Sequence, residues 1–301
     1  MKTLSHSDLA DLVEAQLQVW PMAKSNYDAL ANVKAKQLAV GDLPVVVYFN
    51  PARMVSTGAK LDKDTLSKRP CFLCKDNRPK EQLAAEIIPG WELLVNPYPI
   101  FPIHFTIVAT EHIPQTTIPL EMITLAEMMP DMVVFYNGAK AGASAPDHYH
   151  MQAVLKSELP LLRIAEEYHK PEAGLVVTAS SFGKKLPFDF YSGIITPDKE
   201  GMAAAKLFTR LAGIDKITGK PDHDLVNAFC WLDSHGLMRF IVVPRTTIRP
   251  DCYGARPDDF TISPGAVDMA GCIITPRAND FERVDAERIS EIYKDVAIDG
   301  C

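Results

Sequence analysis

The chain has 301 residues, 47% hydrophobic and 23% charged, an ordinary globular composition. Its formal net charge of -7 argues against a general nucleic-acid surface, which would carry a basic patch or stripe, and no run approaches the apolar length of a membrane span. The cysteines are scattered apart from Cys71 and Cys74, and the N-terminus lacks the apolar core of a secretory signal, so a reducing, cytoplasmic setting is expected.

Leu9, Leu12, Val13 and Leu17 recur at helical spacing, which predicts an amphipathic helix over residues 7–20 with Ser7 as its cap. The runs 37–40 and 43–49 around Gly41-Asp42 predict a hairpin. Its second strand empties into Asn50-Pro-Ala-Arg53-Met-Val-Ser56-Thr57, where a guanidinium could lie over a phosphate. Taken alone, Arg53 reads more readily as an ordinary surface arginine. Lys68-Arg69-Pro70 then leads into Cys71-Phe-Leu-Cys74, a bend that lets two thiolates meet one metal ion. A redox pair would want a helix start in a thioredoxin-like unit, which the neighbouring Pro and Asn disfavour. Two thiolates supply half of a tetrahedral site, and histidines are the obvious source of the rest.

Strands are predicted at 91–95 and 104–109, joined by Asn96-Pro-Tyr-Pro-Ile-Phe-Pro102, whose three prolines suit it to holding Asn96 in place. His112 follows at the end of the second strand. A helix over 120–129 stops at Pro130, and 131–136 reads as a strand. The small-residue loop from Asn137 through Ser144 then enters His148-Tyr-His150-Met-Gln152. Strand alternation puts His148, His150 and Gln152 on one face, with Tyr149 and Met151 turned to the core. A helix over 157–169 follows.

Beyond Pro171 the pattern starts again, with strands at 174–178 and 188–195, a helix over 199–212 and a hairpin of 225–231 with 237–243. A final helix covers 285–296. The strand beginning at His104 and the one beginning at Arg239 both flow into polar residues and a proline, a sign of internal duplication. The second half has no His-x-His-x-Gln, so a duplicated site there would have lost its chemistry.

Neutral imidazole is a nucleophile near neutral pH and can form a phosphoramidate at phosphorus, splitting one displacement into two. Uncharged donors must meet the phosphoryl oxygens, and a glutamine two residues along the strand with main-chain N–H groups of a Gly/Ala/Ser loop can supply them. The loop, His150 and Gln152 therefore hold the parts for nucleotidyl transfer.

In combination, Cys-Phe-Leu-Cys and His-x-His-x-Gln resemble the histidine-triad superfamily. The resemblance is to its galactose-1-phosphate uridylyltransferase branch, which also holds dinucleoside polyphosphate phosphorylases and GDP-hexose phosphorylases. It spans residues 45–290 and is strong between Cys71 and Gln152. The resemblance implies an α+β fold of two tandem histidine-triad-like halves, each an antiparallel sheet with flanking helices. Residues 1–170 would be the catalytic half with a zinc knuckle, and residues 171–301 a degenerate second half. It also implies His150 as nucleophile, Gln152 on the phosphoryl group, and a structural zinc on Cys71, Cys74, His112 and His148. Arg53 is implied as a nucleotide contact, Asn96 as a neighbour of the ribose, and Asn137 and Ser144 as phosphate-loop residues. Ser144 stands one residue farther from the first histidine than in the transferases. Asn96-Pro-Tyr-Pro and Ser263-Pro-Gly-Ala-Val resemble the phosphorylases instead, which usually lack the cysteine pair.

The leading expectation is transfer of a nucleotide from a nucleoside diphosphate sugar, through a covalent nucleotidyl-histidine, to a hexose 1-phosphate. The alternative is a phosphorylase of an NDP-hexose or dinucleoside polyphosphate with orthophosphate as acceptor. Expected partners are a nucleotide sugar and a phosphate-bearing acceptor, with no nucleic acid and no membrane; dimers are common in the resembling family, which allows a homodimer. Lys184, Lys185 and Arg245 are candidate acceptor contacts, with plain surface charge an equal reading. Two other classes are a metal-dependent hydrolase using His148 and His150 as paired ligands, and a non-catalytic nucleotide-binding module with a structural zinc. The hydrolase lacks a suitable setting at His169, His223 and His235.

Overall fold

Apolar alternation along the chain is realised as strands, assigned here from a computed structural model that describes residues 3–54, 69–168 and 176–299. Ser56, Thr57, Lys68, His169 and the start of the strand expected at 174 lie outside the described residues. The first-half strands are β1 (Lys34–Val40), β2 (Leu43–Phe49), β3 (Ala84–Ile88), β4 (Trp91–Val95), β5 (His104–Ala109), β6 (Met132–Asn137) and β7 (His150–Leu155). The second half adds β8 (Val176–Thr178), β9 (Tyr191–Ile195), β10 (Gly213–Ile214), β11 (Pro221–Asp222), β12 (Val226–Leu232), β13 (Met238–Pro244) and β14 (Cys272–Thr275).

Nine of these strands form one sheet in the order β3-β4-β5-β7-β6-β12-β13-β9-β8, with every neighbouring pair antiparallel. The two halves thus share a continuous sheet. In the first, β4, β5, helix Glu121–Met128, β6 and β7 give the spatial order β4-β5-β7-β6. In the second, β8, β9, helix Lys199–Phe208, β12 and β13 give β8-β9-β13-β12, the same winding. The copies meet at β6 and β12, where Phe135 pairs with Phe229. Register then equates positions. Phe135 pairs with Gln152 and Phe229 with Ile241, so Ile241 occupies the place of Gln152, and Arg239 that of His150. β13 is therefore the counterpart of β7, and the comparison of His104 with Arg239 set side by side strands with different places. A strand running into polar residues and proline marks any strand end, not a position in a sheet.

Both faces of the sheet are buried, because each strand alternates apolar residues between two cores. One core holds Met151, Ala153, Phe105 and Ile107 beneath helices His6–Val19 and Glu121–Met128. The other holds Phe135, Val154, Phe229 and Ile241 beneath helices Pro160–Tyr168 and Ala286–Val296 and a small sheet of β1, β2 and β14. The hairpin turns at Gly41, whose φ of 60° suits glycine. Its partner β14 joins β2 in parallel from the far end of the chain. That pairing was not foreseen, since nothing local in Cys272–Thr275 announces a partner so distant in sequence.

The first helix is capped by Ser5 rather than Ser7, through a reciprocal box with Asp8. His148 precedes β7 instead of lying in it, its N–H donating to the Ala145 carbonyl in a turn. Among the described residues no helix is long and apolar enough to cross a membrane.

Candidate active site and metal centre

The turn after Arg69-Pro70 closes with Cys74 N donating to Cys71 O at 3.2 Å, while the Asn77 amide donates to the same carbonyl. This bend presents both thiols to His112, just beyond β5, and to His148, just before β7. The four ligand atoms lie within 4.8 Å of one another. Cys71 Sγ is 3.3 Å from His148 Nδ1, Cys74 Sγ is 3.2 Å from His112 Nδ1, and the two Nδ1 atoms are 3.3 Å apart. A tetrahedral zinc with bonds of about 2.0–2.3 Å puts its ligands about 3.3–3.8 Å apart, so donor set and spacing fit that ion. Tautomer supports the fit. His148 Nε2–H donates to the Ala109 carbonyl at 2.8 Å, which turns the Nδ1 lone pair toward the cluster. Beside it Asp147 pairs with Arg69 at 2.8 Å.

His150 opens β7 and is only 3% exposed. Its Nδ1 lies 2.8 Å from the His148 carbonyl, which can only accept, so the proton sits on Nδ1 and Nε2 carries the lone pair. Burial lowers its pKa to about 4, which leaves the ring neutral. Gln152 lies two residues on, on the same face, and its Oε1 is 2.8 Å from His104 Nε2. His104 is fully buried, and burial followed by the nearby Arg53 lowers its pKa to about 3.

In front of Gln152 lies a polar cleft bounded by Arg53, Asn137, Ser144, Ser263 and Asp268. Gln152 lines it, and His150, two residues earlier on the same face of β7, does not. Arg53 follows β2, its Nη1 donating to Tyr98 O at 2.7 Å, while its buried Nε has no hydrogen-bond partner among the described residues. Asn96 does not line the cleft. Its Oδ1 accepts from Tyr98 N and its Nδ2 donates to Thr106, so it braces the proline-rich loop.

The second half builds the opposite wall. Asn137 Oδ1 accepts from Ala266 N at 2.7 Å and Asn227 Nδ2 at 3.0 Å, and Asn227 Nδ2 also reaches Ala141 O. Gly142 and Gly265 face each other so closely that a Cβ on Gly142, whose φ is 96°, would meet the Gly265 Cα at 2.5 Å. The stretch at Ser263 is thus part of the cleft, pressed against the loop after β6. Asp268 takes N–H bonds from Gly265 and Ile274, and burial raises its pKa to about 6 despite Arg53 and Arg245 nearby.

Arg245 is neither surface charge nor an acceptor contact. It is fully buried and donates to the carbonyls of Val296 and Pro264 and to Asn227 Oδ1. Lys184 lines a separate crevice with Asp42, Arg163 and Glu167, and Lys185 meets Asp42 through its main chain. Neither lines the cleft. The sequence reading missed His104, Asn227 and Asp268. Of these, only His104 carried a local signal, two residues before the Thr106 that pairs with Gln152.

Residues 12–155 match the family described as a domain of unknown function (DUF4922). No curated protein matches the chain. Among solved structures, yeast Ap4A phosphorylase Apa2 in complex with Ap4A aligns with a TM-score of 0.62 and 15% identity, over 97% of this chain and 98% of that one. The complex of the same enzyme with AMP gives 0.58 and 16%, over 94% and 97%. An ADP-glucose phosphorylase from Arabidopsis thaliana with bound ADP-glucose gives only 0.32 and 15%, over 88% and 100%. The chain has the α+β histidine-triad-like fold that its motifs led us to expect.

Proposed function

We propose that the chain is a nucleotidyl-transferring phosphorylase acting through His150, with orthophosphate as acceptor. The observation that carries this is the His150 tautomer, since an imidazole held by Nδ1–H against a carbonyl keeps its Nε2 lone pair for phosphorus, two residues along β7 from the cleft-lining Gln152. In the first step Nε2 bonds to the α-phosphorus of a nucleotide donor, and the bond to the bridging oxygen breaks. The leaving group is a hexose 1-phosphate or a second nucleotide. In the next step an orthophosphate oxygen attacks, the P–N bond breaks, and a nucleoside diphosphate departs with His150 restored. Gln152 and the N–H groups of the loop after β6 would meet the phosphoryl oxygens, and Arg53 a neighbouring phosphate.

This shifts weight from the leading sequence reading. The fold likeness to an Ap4A phosphorylase supports the phosphorylase alternative over transfer to a hexose 1-phosphate. Cys71, Cys74, His112 and His148 would hold a structural zinc, since four protein ligands leave no open position for chemistry. Residues 1–170 would then be the catalytic half and 171–301 the supporting one. A matrix of dinucleoside polyphosphates and nucleotide sugars against orthophosphate and hexose 1-phosphates tests the reading. Turnover with orthophosphate is expected; turnover with hexose 1-phosphate alone would reinstate the transferase.

A further inference from the structure

We propose that His104 is the positioning residue that sets which end of the Gln152 amide faces the cleft. A glutamine amide has a donor end and an acceptor end, and only the donor end can meet a phosphoryl oxygen. Something must therefore choose between the two. The Ile100 main-chain N–H can only donate, and it lies 3.2 Å from His104 Nδ1. Nδ1 is thus the acceptor, and the proton of the neutral ring sits on Nε2. That Nε2–H meets Gln152 Oε1 at 2.8 Å. The flipped amide would set an NH2 group against an N–H, two donors face to face. Asn96 Nδ2 is 3.5 Å from the same nitrogen, but its own amide is fixed by Tyr98 N and Thr106.

The chain of donors runs one way, from Ile100 N–H through the ring to Oε1, which leaves the Gln152 NH2 for the cleft that Gln152 lines. It starts in the proline-rich connection between β4 and β5, which gives that stiffness a purpose: the loop holds the N–H that fixes the tautomer. His104 is buried and lines no part of the cleft, so it acts through Gln152 and touches no substrate.

The inference rests on the phosphoryl-transfer reading of the cleft, and its test separates the two. In the full-length protein, His104→Leu, Gln152→Ala and the double variant are compared by the single-turnover rate of labelling from an α-labelled nucleotide donor. Each single variant should slow labelling by about 10²-fold with donor affinity held within about 3-fold, and the double variant should be no slower than Gln152→Ala. His104→Gln, which keeps an N–H donor, should recover part of the loss. Multiplicative losses in the double variant would overturn the proposal. Independently of any activity, ¹⁵N spectra of histidine-labelled protein should show the Nε2–H tautomer at His104; an Nδ1–H tautomer overturns it. A wild type that takes no label defeats the proposed function, and the tautomer then decides the positioning role alone.

Discussion

At the scale of single residues, the site works by selecting among equivalent atoms. His150 has two ring nitrogens, and the His148 carbonyl assigns the proton to Nδ1. Replacing Gln152 by Ala should lower kcat by about 10²–10³-fold with little change in KM, since the lost donor meets charge that moves onto oxygen in the transition state. A KM effect alone, in steady-state kinetics, would count against that role. Asp268 gives a prediction in pH. Its folded pKa of about 6 lies above the usual carboxylate value, so the folded state binds the extra proton between about pH 4 and 6. Stability should therefore fall as pH rises through that window, and Asp268→Asn should remove this part of the slope. Thermal melts of both proteins at either end of the window check it, and identical slopes would contradict the assignment.

At the scale of elements, a metal on Cys71, Cys74, His112 and His148 would tie the knuckle to the end of β5 and the start of β7. His148 sits two residues before the proposed nucleophile, so the ion would fix where β7 begins. His148→Ala or Cys74→Ser should reduce bound zinc from one equivalent toward none and lower Tm by about 10 °C or more, read by metal analysis and thermal melts. Unchanged metal content would refute the cluster. The cysteine pair was legible in sequence as a local Cys-x-x-Cys bend, whereas His112 and His148 entered as its partners only through the family resemblance. The face carrying His150 and Gln152 was also legible locally, through strand alternation. Asp268 and Asn227 were not, because their roles exist only once the stretch at Gly265 packs on Gly142, a contact across more than a hundred residues that no local spacing encodes.

At the scale of the whole molecule, the second half repeats the winding of the first without its His-x-His-x-Gln. Register puts Arg239 and Ile241 where the first half carries His150 and Gln152. Arg239 is buried against Asp233 at 2.6 Å, an arrangement suited to a core and not to a nucleophile. The same half supplies Asn227, which joins Arg245 to the loop after β6 by three side-chain hydrogen bonds. Asn227→Ala should cost about 2–3 kcal/mol in denaturant unfolding and raise KM for the donor, because the loop loses its anchor. A stability loss with KM unchanged would confine Asn227 to the core. The winding of each half follows from short strands and helices that the sequence displays, whereas the joining of both halves through β6 and β12 follows from a pairing of two equally apolar edges that patterning alone leaves open. Rapid-quench trapping with an α-labelled nucleotide donor, followed by peptide mapping, should find an acid-labile nucleotidyl group on the peptide holding His150. Orthophosphate should release it as nucleoside diphosphate, and His150→Ala should fold normally but take no label. Equal labelling of His150→Ala, or none on the wild type with any donor it turns over, would contradict the account.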